Sequence, residues 1–205
     1  MRSCLVMDDD TRLASDLARD LDAAFERLVV GHQDRLFTIA LRMLRDRRDA
    51  EEAAQDALVR AYRALGTYEA VRIREVRLRP WLATIVLNLC RNRLTRRGRP
   101  RPGDRSLDAA GAIGYEAPAA ATGAPVAIAE ARAAREAWAA RVLALPPAYR
   151  GPVVLRHIDG LSYPDVAAVL GRPEGTVKAQ VHRGTALLRA MLEAERRLQP
   201  TEMSA

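Results

Sequence analysis

Apolar positions recur at helical spacing along most of this chain. Leu21, Ala24, Phe25, Leu28 and Val29 share one face, and Leu36, Ile39, Ala40, Met43 and Leu44 repeat the pattern. Gly31, between the two stretches, predicts a break or a tight contact. "RDRRDAEEAAQDALVRAYRAL" comes next, with Asp46 or Asp49 as cap and acids in the first turn, where the helix dipole favours them. Its stripe is Ala53, Ala54, Ala57, Leu58, Ala61 and Leu65, and Gly66 ends it. "TYEAVRIREVRLR" then alternates apolar residues with arginine at period two. Such alternation signals a strand, but no partner strand is in sight, so an extended loop is expected over 66–79. Pro80 starts a further helix, "PWLATIVLNLCRNRLTRR", with Trp81, Leu82, Ile85 and Leu89 on its apolar face.

The periodicity stops over 98–128, where proline, glycine and alanine dominate. This segment reads as a flexible linker. Helical patterning resumes over about 130–144 and again in "LPPAYRGPVVLRHIDG", which Gly160 stops. Ser162 and Asp165 form a capping-box pattern, and Pro164 falls in the first turn, where it is tolerated. Val166, Ala167 and Leu170 face inward on that short helix. Gly171 supplies a sharp turn and Pro173 starts the last helix. The expected fold is therefore all-α, with two small helical domains joined by a flexible linker. The expected boundaries are a flexible tail over 1–17, a first domain over 18–97, the linker over 98–128, a second domain over 129–198, and a tail over 199–205.

Composition supports helices: 49% of residues are apolar but only 4% aromatic. No apolar run has a membrane-spanning length, and the N-terminus lacks a secretory pattern, so the expected location is cytoplasmic, without membrane insertion. Cys4 and Cys90 fit no metal spacing and no disulfide framework, and two reduced thiols are expected, with Cys90 inert. His32, His157 and His182 are scattered, so no metal or cofactor is expected. Charge changes the picture more. The net charge is +7, yet residues 71–101 alone hold ten arginines against one glutamate. Residues 1–70 hold 14 acids against 11 bases. A basic block of this kind is a footprint for polyanions. Arginine outnumbers lysine 32 to 1, which a GC-rich genome would explain; the clustering needs another reason.

A short helix, a glycine turn and a longer helix make a helix-turn-helix pattern. In the last helix Val177, Val181, Gly184 and Leu188 fall on an inward face. Gly175, Thr176, Lys178, Ala179, His182 and Arg183 fall on the opposite face, in the first three turns. Those turns enter the DNA major groove in such motifs. Gly175 would permit close backbone approach, Lys178 and Arg183 suit phosphate or guanine, and Thr176 could donate to either.

The stretch "LPPAYRGPVVLRHIDGLSYPDVAAVLGRPEGTVKAQVHRGTALLRAML" resembles the C-terminal domain of the extracytoplasmic-function sigma factors of the sigma-70 family. "DAEEAAQDALVRAY" resembles that family's polymerase-binding helix, and "WLATIVLNLCRNRLTRR" its −10-reading helix. The chain departs from the common pattern at Glu52, Leu58 and Asn92, and its 66–79 segment is unusually rich in arginine.

The resemblance implies a non-enzymatic factor that brings core RNA polymerase to promoter DNA and helps open the duplex. It assigns polymerase binding to Asp49, Glu51, Glu52, Gln55 and Asp56. It assigns the −10 element to Asn88, Arg91, Asn92, Arg93, Arg96 and Arg97, and the −35 element to the outward face of the last helix. Arg72, Arg74, Arg77 and Arg79 would line the path of the non-template strand. Base stacking costs about 1.4 kcal/mol per step, so opening several pairs needs the polymerase as well. Weak promoter binding is expected of the free chain, which should be a monomer, with a separate anti-sigma factor as its regulator. Two rival readings make other demands. A dimeric repressor would need a dimerisation coil, which the sequence lacks. An enzyme using Asp8, Asp9 and Asp10, or Glu51 and Glu52, would need a nucleophile or phosphate cradle, and neither is present.

Overall fold

A computed structural model describes residues 2–97 and 125–198. The expected linker falls almost wholly outside them, as does the expected tail over 199–205. Among the described residues every regular element is helical. The first unit holds α1 (Arg2–Arg19), α2 (Leu21–Leu44), α3 (Arg47–Leu65), α4 (Ala70–Glu75) and α5 (Leu78–Arg97). The second holds α6 (Pro125–Ala144), α7 (Pro147–Val153, continued as a π-helical stretch Val154–Ile158), α8 (Tyr163–Leu170) and α9 (Glu174–Leu198).

Helices α2, α3 and α5 pack on one another as the frame of the first unit. Their apolar stripes meet in a core of leucine and alanine that includes Leu28, Leu36, Ile39, Ala53, Ala57, Ala61, Leu82 and Val86. The many alanines let the helices approach closely. Asp20 caps α2 by accepting the Ala23 N–H (3.1 Å), and Asp46 caps α3 by accepting the Asp49 N–H (2.8 Å). Of the two cap candidates before α3, Asp46 holds the position.

Three local expectations give way to tertiary packing. The stretch expected as a flexible tail is helix α1, whose Leu13, Ala14 and Leu17 are buried and which packs on α2 and α4. Asp10 reaches His32 on α2 at 3.4 Å and ties the helix down. The segment expected to be extended contains α4, which buries Ile73 and stacks the Arg72 guanidinium on the Tyr68 ring at 3.9 Å. Its neighbour α1 favours one buried side of a turn over a two-sided strand. Gly31 is exposed and makes no break, because α2 runs continuously through it. The following helix starts at Leu78 rather than Pro80, and α6 begins before the expected boundary at 129.

In the second unit Ser162 accepts the Asp165 N–H (3.3 Å) and so caps α8. Gly171 ends it with φ of 62°, a left-handed conformation that lets the Arg172 N–H return to the Ala167 carbonyl (3.0 Å). Val177, Val181, Gly184 and Leu188 of α9 are buried against α7 and α8. Gly184 lies where a Cβ would sit 2.6 Å from Val153 Cγ2, so the two helices cross at a contact only glycine fits. Arg150 is buried, and among the described residues no carboxylate pairs with it. It donates instead to the carbonyls of Leu143 (2.7 Å) and Leu145 (2.9 Å), at the negative end of α6.

The two units touch. Helix α8 packs on α5, and both α6 and the π-helical stretch pack on α2. No described helix is long and apolar enough to cross a membrane.

Candidate nucleic-acid and polymerase interface

The helix-turn-helix presents the face the sequence predicts. Gly175, Thr176, Lys178, Ala179, His182 and Arg183 are all exposed on the first three turns of α9. Lys178 Nζ lies 2.7 Å from Glu174 Oε1 and 5.8 Å from the Tyr163 ring centroid. The hydrogen bond to Glu174 pushes the Lys178 pKa up and keeps the ammonium charged. Arg172, in the turn before α9, donates to Gln180 Oε1 on that helix (2.9 Å). Glu174, Arg172 and Gln180 thus border this exposed face, though the helical pattern alone did not single them out.

On α5, Asn88, Arg91, Asn92 and Arg96 are exposed along one side. Arg91 donates to Asn88 Oδ1 at 3.4 Å. Arg97 is the last residue of α5, and its side chain lies outside the described atoms. Arg93 turns the other way. It lies 2.9 Å from Asp56, 3.1 Å from Glu52 and 3.7 Å from Asp49, and it also donates to the Asp49 carbonyl (3.3 Å). Partial burial pulls its pKa down, but the bonds to Asp56 and Glu52 outweigh that and leave it raised. An arginine assigned to DNA therefore pairs with three of the five residues assigned to polymerase. Those acids form a stripe on α3, and Glu51 and Gln55 are the two that do not touch Arg93. Glu51 accepts from Arg47 (2.8 Å) and Gln55 is exposed.

Cys90 is fully buried beneath this surface, and desolvation pushes its pKa up to about 12. At neutral pH it is a packed thiol rather than a nucleophile. The folded pKa lies above the unfolded value, so the native state holds its proton more tightly. That contribution is complete below about pH 9 and is lost as pH rises toward 12. Subtracting the stability profile of Cys90→Ala from that of the chain should leave a difference that falls with alkaline pH. A flat difference would contradict the assignment.

The sequence could not locate the contacts between the units. Arg35 on α2 forms a bidentate pair with Asp159, through Nε–Oδ1 and through Nη2–Oδ2 at 2.6 Å. The Asp159 carboxylate is fully buried. Arg79 donates to the Asp159 carbonyl (2.7 Å), and Arg77 holds both carboxylate oxygens of Asp165, one of them at 3.0 Å. Among the described residues no group of three or more His, Cys, Asp or Glu side chains is placed to hold a metal.

Comparison with known proteins bears on both units. Residues 28–100 match the family model for sigma-70 region 2, and residues 135–188 match that for sigma-70 region 4. The chain is 32% identical over 183 residues to the RNA polymerase sigma-H factor of Pseudomonas aeruginosa, covering 87% of this chain and 91% of that protein. It is 33% identical over 174 residues to the ECF RNA polymerase sigma factor SigW of Bacillus subtilis, covering 82% and 89%. Among solved structures it resembles CnrH in complex with the cytosolic domain of CnrY. That match has a TM-score of 0.63 and 28% identity, and covers 90% of this chain and 97% of that one. The sigma factor RpoE of Bartonella quintana, in complex with the anti-sigma factor NepR, shares the fold with a TM-score of 0.62 at 22% identity, covering 82% and 96%.

Proposed function

We propose that this chain, which belongs to the extracytoplasmic-function sigma factors of the sigma-70 family, divides its contacts among three helices. The family's function is plain: such a chain directs core RNA polymerase to promoters and is not an enzyme. The proposal concerns which residues do the work. Helix α9 reads the −35 element with Gly175, Thr176, Lys178, Ala179, His182 and Arg183. Helix α5 approaches the −10 element with Asn88, Arg91, Asn92, Arg96 and Arg97. The acidic stripe of α3, namely Asp49, Glu51, Glu52, Gln55 and Asp56, meets core polymerase.

The observation that carries this reading is the two-faced character of α9. Val177, Val181 and Leu188 are buried against α7 and α8, while every α9 residue expected to meet DNA stands in solvent. Arg93, which the resemblance assigns to the −10 surface, pairs with Asp49, Glu52 and Asp56. It neutralises and orients the acidic stripe, so we read it as a positioning residue for the polymerase surface. The solved Bartonella quintana relative carries an anti-sigma factor, and a partner of that kind fits this chain as its regulator.

Replacing Glu51 and Gln55 with lysine reverses the outer edge of the stripe without touching the Arg93 cluster. We take the polymerase surface that meets this acidic stripe to be basic, so lysine there sets like charges across the interface, and retention of core polymerase on the immobilised chain should fall about tenfold or more. The helical circular dichroism should stay unchanged. Undiminished retention would remove α3 from the polymerase interface.

A further inference from the structure

We propose that Tyr163 is a positioning residue for −35 recognition, and that the face of its ring holds the Lys178 ammonium in place before DNA arrives. The proposal rests on the reading of Lys178 as a DNA contact. Two cations lie over this one ring, the Arg156 guanidinium at 4.9 Å and the Lys178 ammonium at 5.8 Å from its centroid. They come from different elements, the π-helical stretch after α7 and the second turn of α9. Tyr163 itself is the first residue of α8. The ring therefore joins three elements of the second unit beside the exposed face of α9.

The ring is a fixed platform. Ser162 caps α8 at the preceding position, and Pro164 follows in the first turn with its restricted φ. Tyr163 is partly buried and packs against the core. Arg156 is pinned as well, because it donates to the Leu161 carbonyl (3.1 Å). Lys178 is the member with freedom to move. It is exposed, and its other partner, Glu174, lies one turn back on the same helix.

The two partners of Lys178 act differently. Glu174 takes up an N–H donor and brings a negative charge toward the phosphates. An aromatic face attracts the ammonium through its quadrupole, and the N–H groups stay available to a phosphate or a guanine edge. A lysine stem is flexible, and ordering such a side chain on binding weakens affinity. A ring that narrows its range beforehand removes part of that loss. Exposed contacts between a cation and a ring correspond to about two- to fivefold in an equilibrium constant, which sets the size of the effect expected here.

The test uses the full chain with core polymerase, on a promoter that the unchanged chain selects from a randomised library. Tyr163→Phe removes the hydroxyl and keeps the ring. Pentafluorophenylalanine in place of Tyr163 keeps the shape of phenylalanine but reverses the sign of its face, so that it repels a cation. Each change is made with Lys178 present and again with Lys178→Ala. Initiation is compared on intact and scrambled −35 elements, and circular dichroism checks the helices. Tyr163→Leu, which removes the ring face but keeps an apolar side chain, replaces the fluorinated chain should that chain lose its helices. Tyr163→Phe should initiate nearly as well as the unchanged chain, and the fluorinated chain about two- to fivefold less well than Tyr163→Phe. With Lys178→Ala the two rings should be equivalent, because the cation they act on is gone. Equal initiation by the two rings with Lys178 present would show that only the shape of the ring matters and would overturn the proposal. So would an undiminished difference without Lys178, which would place the effect at Arg156. A loss in Tyr163→Phe as large as in the fluorinated chain would assign the role to the hydroxyl instead. Normal initiation by Lys178→Ala alone is a separate failure, since it removes Lys178 from the −35 surface and the positioning role falls with that reading.

Discussion

Replacing Arg93 with glutamate is expected to damage this protein more than any other single change on its charged surface. The guanidinium sits among Asp49, Glu52 and Asp56 and is only 20% exposed. Reversal would set four carboxylates against one another in a partly dry site. Breaking buried pairs costs about 3–5 kcal/mol and exposed ones far less, so a loss of about 2–3 kcal/mol is reasonable here. For a unit of this size that corresponds to roughly 10–20 °C in Tm, readable by circular dichroism. Arg93→Gln should lose less, and it separates the two roles. A phosphate contact, once removed, flattens the salt dependence of DNA binding by about one counterion. A positioning residue leaves that slope alone and weakens binding to core polymerase instead. We expect the second pattern, and a flattened slope with unchanged polymerase binding would return Arg93 to the DNA surface.

The second large effect is expected on α9. Lys178→Ala and Arg183→Ala remove two exposed cations from the first three turns. Contacts of this type are worth about 1–3 kcal/mol each, so the pair should lower −35-dependent transcription on the order of a hundredfold. The two changes should not be equivalent. Lys178 is paired with Glu174, and its loss leaves a carboxylate facing the phosphates. Lys178→Ala should therefore weaken DNA binding more than Arg183→Ala, and adding Glu174→Ala should recover part of the loss. Run-off transcription on promoters with intact and scrambled −35 elements measures this. Equal initiation by the double variant on the intact promoter would show that α9 faces elsewhere.

What the sequence disclosed and what it hid divide along physical lines. Helical periodicity is local, so the inward face of α9, the caps at Asp46 and Ser162 and the turn at Gly171 could be read from a few residues each. Two elements were misread because distant neighbours decide them. The α1 residues Leu13, Ala14 and Leu17 have helical spacing, but three successive aspartates disguised them as a tail. The period-two pattern of 70–75 imitates a strand until α1 offers one side to pack on. Side-chain direction was harder still. Arg93 lies between Asn92 and the exposed Arg96 on the same helix, and only the position of α3 turns it inward. Arg35 and Asp159 are 124 residues apart, and no local signal connects them.

Expectations about the linker over 98–128 concern residues mostly beyond those described. The identification does not depend on them, since the two units match region 2 and region 4 separately and in that order.

The most direct measurement is transcription in vitro by core polymerase with this chain on a randomised promoter library, followed by sequencing of the transcript starts. The expected starts share two short elements at fixed spacing, with the upstream element lost in the Lys178→Ala/Arg183→Ala variant and the downstream one in an Asn88→Ala/Asn92→Ala variant. Starts distributed as they are with core polymerase alone would contradict promoter selection by this chain.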